Sequence, residues 1–171
     1  AASAITAVTV QNTLGVSVVQ DLPVEIVRGQ IDAVLTDIGA DAVKIGMLSS
    51  SEIIMGIKEA LPTHKLTNIV LDPVMVSTSG HKLLHDDAIE TLKNELLPCA
   101  RVITPNIPEA EILLGEKIEK QNQLPEYARE LATRYGVSVL LKAGHLTGEE
   151  LIDVFYNAET NEMSFLKSPR K

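Results

Sequence analysis

Apolar and polar positions follow two periods along this chain, and the switches between them outline a fold. Ile5-Thr6-Ala7-Val8-Thr9-Val10 alternates and is rich in β-branched residues, which predicts a strand. A polar turn from Gln11 to Gly15 follows, and Val16 to Val19 reads as a short edge strand or flap. Pro23 suits an early helical position. Val27, Ile31, Val34 and Ile38 then recur on one helical face, with Gly39 as the stop. Ala42 to Met47 is a short apolar strand. Ser49 and Glu52 have capping-box spacing ahead of a helix through Ile53, Ile57 and Leu61, with Pro62 after its end.

The second half repeats the alternation. Asn68 to Leu71 is a strand running into Asp72-Pro73. Asp87 and Glu90 open a helix carrying Ile89, Leu92 and Leu96. Arg101 to Thr104 is a strand cut at Pro105, and Glu109 to Leu114 is a short helix ended by Gly115. Leu124, Ala128, Leu131 and Tyr135 mark a longer helix, stopped by Gly136. Val137 to Lys142 is a strand, and Leu151 to Tyr156 with Met163 to Lys167 form a closing pair. Near-continuous apolar strands are those covered on both faces. The order therefore predicts one α/β domain over 1–171: a doubly wound, mostly parallel sheet with helices on both faces.

Composition narrows the function. The chain has 171 residues, 45% hydrophobic and 22% charged, so it can build a core. Aromatics are 3% and Trp is absent, which leaves that core to Val, Ile, Leu and Ala. A net charge of −8 argues against a broad grip on nucleic acid or an anionic membrane surface. One cysteine excludes an intramolecular disulfide framework and a Cys-rich zinc site, which fits a reducing compartment and a cytoplasmic location. No apolar stretch is long enough to span a bilayer. Cys99 is expected to be an inert buried thiol, and His64, His81 and His85 to be solvated.

Parallel α/β sheets bind ligands beyond the C-terminal ends of their strands. Gln11 and Asn12 end the first strand, Gly46 and Met47 the second, and Asp72 to Val76 the third. Thr104-Pro105-Asn106 ends the fourth, with Glu109 a turn further on, and Lys142 to His145 the fifth. One rim would then hold two carboxylates, an ammonium and two amides, a set suited to magnesium and phosphate. There is neither a GxxxxGK[ST] nor a GxGxxG motif. Each residue also has a plain reading. Asp72 before Pro73 can be a turn former, Asn106 a helix cap, and Glu109 a partner of the helix dipole. Lys142 can snorkel, Met47 can fill the core, and His145 can be structural. Shared location on one rim is what joins them.

In order along the chain, Gln11-Asn12-Thr13, Lys44 to Leu48, Asp72 to Gly80, Thr104 to Glu111 and Lys142 to Leu146 resemble the hydroxymethylpyrimidine/phosphomethylpyrimidine kinases of the ribokinase-like superfamily. The resemblance runs over essentially the whole chain. It implies ATP-dependent phosphorylation of 4-amino-5-hydroxymethyl-2-methylpyrimidine, then of its monophosphate, in thiamine biosynthesis. It also implies that Gln11 hydrogen-bonds the aminopyrimidine and that Met47 and Val74 line the ring pocket. Asp72 and Glu109 would organise magnesium, in part through water, and Asn106 and Lys142 would face the nucleotide phosphates.

Two family segments have no counterpart here: an N-terminal strand, Gly-rich turn and helix, and a late GTGC-type segment that forms an anion hole and carries a catalytic residue. The resemblance thus implies an incomplete domain that is inactive alone. Pyridoxal kinase and a non-catalytic pyrimidine-binding module are the competing expectations. Val16 to Val19 hints at a subunit contact, and so at a homodimer.

Overall fold

The computed structural model describes residues 1–75, 83–144 and 150–169. Two β-strands, β1 (Ala7–Asn12) and β2 (Gly15–Asp21), form an antiparallel hairpin of their own. Asn12 closes its turn by accepting from the Leu14 and Gly15 amides at 2.8 and 3.2 Å. The sequence reading put β1 into the central sheet. Alternation specifies a strand but not its partner, and the segment two residues away is the cheapest partner to reach.

Helix α1 (Val24–Asp37) follows Pro23, and Gly39 leaves it at φ +74°. It packs on α2 (Ser51–Thr63). Gly56 permits the close approach, since a Cβ there would lie 2.4 Å from Val24 Cγ2. Arg28 pairs with Glu59 at 2.6 Å, and His64 Nε2 lies 2.7 Å from Asp32 Oδ1. His64 is therefore not solvated as expected; its side chain is 14% exposed. The cap of α2 also differs. Ser50, not Ser49, accepts from the Ile53 amide at 3.3 Å, while Ser49 is buried. Pro62 falls inside the last turn of α2, where its missing N–H removes only one helical bond.

Among the described residues, the central sheet has six strands in chain order. Four are parallel: β3 (Val43–Ile45), β4 (Ile69–Leu71), β5 (Val102–Ile103) and β6 (Ser138–Leu141). The antiparallel hairpin β7 (Glu150–Asn157) and β8 (Glu162–Pro169) closes it. Helix α2 links β3 to β4. Helix α3 (Asp86–Thr91), continued by a wide turn over Leu92–Leu96 and a tight one over Leu97–Cys99, links β4 to β5. Helices α4 (Ile107–Leu114) and α5 (Leu124–Tyr135) link β5 to β6.

The α/β class and parallel centre are those expected; of the helices expected on both faces, the crossover helices among the described residues lie on one. Right-handed crossovers that always step the same way set their helices on one face. The side chains on that face, Ile45, Leu71, Ile103 and Val139, are buried in the main core with Ile54, Leu96 and Leu131 from the crossover segments. On the opposite face Lys44 is exposed, while Val70, Val102 and Leu140 are half-buried and outside that core. Among the described residues, no helix is long and apolar enough to cross a membrane.

Candidate active site

Four predicted residues converge at the C-terminal ends of the parallel strands. Asp72 directly follows β4, and its amide extends the ladder by donating to the Ile45 carbonyl at 2.9 Å. This fixes the backbone from which its carboxylate projects. Lys142 directly follows β6 and donates through Nζ to Asp72 Oδ1 at 3.0 Å, across the end of β5. Its amide in turn donates to the Pro105 carbonyl at 2.9 Å, and Asn106 bridges to Lys142 as a strand would. The plain readings of Asp72 and Lys142, a turn former and a snorkelling lysine, do not explain this long-range pair.

Asn106 and Glu109 form a reciprocal capping box at the start of α4. Asn106 Oδ1 accepts from the Glu109 amide at 3.0 Å, and Glu109 Oε2 accepts from the Asn106 amide at 2.8 Å. The capping reading of both residues is thus correct, and it coexists with a place at the rim. Glu109 is 3% exposed. Burial raises its pKa above the ordinary carboxylate value. The Asn106 amide, the Lys142 ammonium and the Met75 amide pull it back, and the Asp72 charge adds to the rise.

Two predicted pocket residues flank this cluster. Val74 is half-buried, and its amide donates to the Asp72 carbonyl at 2.8 Å. Met47 is half-buried beyond β3, where its carbonyl accepts from Thr6 Oγ1 at 2.8 Å. That bond ties the base of the β1–β2 hairpin to the rim. Gln11 does not end a strand of the central sheet. It lies exposed on the hairpin, where the register shifts between Val10 and Gln11. Residues 76–80, His81 and His145 lie outside the described residues. Cys99 is half-buried, with Sγ 3.3 Å from the Glu95 carbonyl.

Two residues with a place here escaped the sequence reading. Lys44 on β3 brings Nζ to 3.6 Å from Asp72 Oδ2. Asp153 on β7 accepts from the Ala143 amide at 2.7 Å and so holds the turn that follows Lys142. The available signal was the same for both: a charge between apolar neighbours, Val43 and Ile45 for Lys44, Ile152 and Val154 for Asp153.

The donors fit a hard cation carried in by phosphates. Asp72 and Glu109 offer carboxylate oxygens only, and magnesium needs one or two of these because it keeps waters and phosphate oxygens as its other ligands. Among the described residues, no group of three or more His, Cys, Asp or Glu side chains is arranged to hold a metal alone. Chemically, the rim offers positive charge from Lys142 and Lys44 beside acceptors that can orient a cation.

A family model described as phosphomethylpyrimidine kinase matches residues 1–170. The hydroxymethylpyrimidine/phosphomethylpyrimidine kinase of Rhizobium meliloti is 46% identical over 160 residues, covering 93% of this chain and 60% of that protein. The chain thus spans about three fifths of that relative's length. The crystal structure of a phosphomethylpyrimidine kinase from Clostridium difficile superposes with a TM-score of 0.86 at 45% identity, over 98% of this chain and 71% of the other. A Staphylococcus aureus pyridoxal kinase in complex with pyridoxal gives a TM-score of 0.84 at 28% identity, over 98% of this chain and 61% of the other.

Proposed function

Because this chain belongs to the phosphomethylpyrimidine kinase family, we propose that its rim serves ATP-dependent phosphorylation of 4-amino-5-hydroxymethyl-2-methylpyrimidine and of its monophosphate. The observation that carries this reading is the Lys142–Asp72 pair at 3.0 Å, set beside the Asn106–Glu109 capping box at the strand ends. Phosphoryl transfer asks mainly for positioning and for charge that offsets the phosphates. Lys142 supplies that charge from a backbone locked to Pro105, and Asn106 shares its bridge.

Asp72 and Glu109 would hold magnesium, in part through water, and magnesium would neutralise phosphate charge. Glu109 can do so because α4 holds its carboxylate at a defined depth. Asp72, 19% exposed, stays open to solvent and ligand. Met47 and Val74 would give the acceptor ring an apolar wall. Gln11 would reach the ring's amino edge from the hairpin, since an amide offers both a donor and an acceptor. For that, the hairpin must close over the rim, and Thr6 anchors its base next to Met47.

The pyrimidine alcohol is favoured over pyridoxal by sequence: identity is 45% to the structure of a phosphomethylpyrimidine kinase and 28% to that of a pyridoxal kinase, at similar TM-scores of 0.86 and 0.84. The test measures ADP release with each alcohol, in a chimaera where this chain replaces the matching residues of the Rhizobium meliloti relative. We expect turnover with the pyrimidine alcohol, and Lys142→Met to lower it at least about tenfold, as for loss of a charge-assisted hydrogen bond. Faster turnover of pyridoxal, or full activity in Lys142→Met, refutes the assignment.

A further inference from the structure

Asp72 has two ammonium neighbours, and only one of them is within hydrogen-bond distance. Lys142 is the nearer, at 3.0 Å with its side chain 35% exposed. Lys44 stands at 3.6 Å, beyond hydrogen-bond distance, and is 68% exposed. A long, exposed ion pair of that kind contributes little to stability. Lys44 therefore represents positive charge that the protein brings to the rim without using it for its own fold.

Its position is also asymmetric. Lys142 lies beyond β6 and shares its surroundings with Asn106 and Glu109, the proposed nucleotide side. Lys44 lies on β3, whose end carries Met47, the proposed acceptor side. The two ammoniums approach opposite oxygens of the one carboxylate, Oδ1 and Oδ2. Lys44 and Asp72 share the same face of the sheet, the face with no crossover helix over it among the described residues, so the Lys44 head is open to a ligand.

We propose that Lys44 binds the phosphate of a phosphorylated acceptor, the pyrimidine monophosphate of the second transfer, while Lys142 faces the nucleotide. The assignment rests on the function proposed above. A phosphate monoester brings about −1.5 to −2 charges, which Asp72 alone would repel. An ammonium on the acceptor side offsets that repulsion, and a neutral alcohol gains nothing comparable from it. In the transfer, an oxygen of the acceptor phosphate forms a new bond to the γ-phosphorus of ATP. The bond from that phosphorus to the β-bridging oxygen breaks, and ADP leaves with the electron pair. Lys44 makes no covalent bond; it holds the attacking phosphate in place.

The experiment is calorimetric titration of the chimaera described above, and of its Lys44→Met and Lys44→Arg variants, with the pyrimidine alcohol and with its monophosphate. The readout is the ratio of the two Kd values. We expect Lys44→Met to shift that ratio at least about tenfold toward the alcohol, the size of a lost charge-assisted hydrogen bond. Lys44→Arg, which keeps the charge, should hold the ratio within about threefold of the parent chimaera's. An unchanged ratio in Lys44→Met overturns the assignment, because a residue acting only through Asp72 would move both affinities together. A parent chimaera that binds neither acceptor overturns the proposed function itself, and this assignment with it.

Discussion

Glu109 combines two roles that a substitution can separate. Its carboxylate accepts the Asn106 amide, and burial opposes its charge. Glu109→Gln keeps an oxygen acceptor at that depth and removes the charge. Glu109→Ala removes both. For Ala, the Asn106 side chain still caps α4, but the Asn106 amide loses its acceptor, which costs about 1–3 kcal/mol. At about 2–4 °C per kcal/mol, the Tm falls by roughly 2–12 °C.

The pH dependence gives a second reading. The folded pKa of Glu109 lies above the ordinary value of 4.5, so the native state holds this proton more tightly than the unfolded chain does. Its contribution to stability is therefore greatest in acid, and declines as pH rises from about 4.5 through the raised folded value. Glu109→Gln lacks that decline. Urea unfolding followed by circular dichroism at pH 4.5 and 7.5 measures it. At pH 7.5 the Gln variant should match or exceed wild type, while the Ala variant falls well below it. A Gln variant as unstable as the Ala variant at pH 7.5 would show that the charge itself supports the fold, and would refute the account of burial given above.

Other regions yield sharper structural tests. Gly56→Ala drives a methyl toward Val24 Cγ2 and should destabilise the α1–α2 contact by about 1–3 kcal/mol; adding Val24→Ala should restore most of the loss in thermal unfolding. Asp153→Ala removes the acceptor of the Ala143 amide. Faster hydrogen exchange at Ala143, with a stability loss of about 1–3 kcal/mol, is the expected result, and unchanged exchange there would show that the turn is held by other contacts.

Much of the site was legible because an apolar strand that stops at a polar residue marks its own end. Val70-Leu71 before Asp72 and Leu140-Leu141 before Lys142 are two such stops, and the pair they carry meets in space. The helix through Ile53, Ile57 and Leu61 was equally plain from its period. Partner choice was less legible. Nothing in the alternation of Ile5 to Val10 distinguishes a hairpin from a sheet strand, so Gln11 was expected on the wrong structure. His64 was misplaced because its partner Asp32 lies on another helix, and no local pattern records such a pairing. Asn106 and Glu109 posed a different problem: capping and site chemistry use the same atoms, so spacing could not choose between readings that turn out to be compatible.

The chain-order arrangement of the central sheet also bears on how the molecule comes into being. Each strand from β4 to β8 pairs with the one made just before it, so no strand must wait for a distant partner. Translation adds about 5–20 residues per second, and the interval from β4 to β5 or from β5 to β6 is then a few seconds. The sheet can grow at one edge as the polypeptide leaves the ribosome, each new crossover helix covering the strand it follows. Such vectorial assembly keeps few unpaired β-edges waiting at any moment, and those edges are what nascent chains most readily misuse for aggregation.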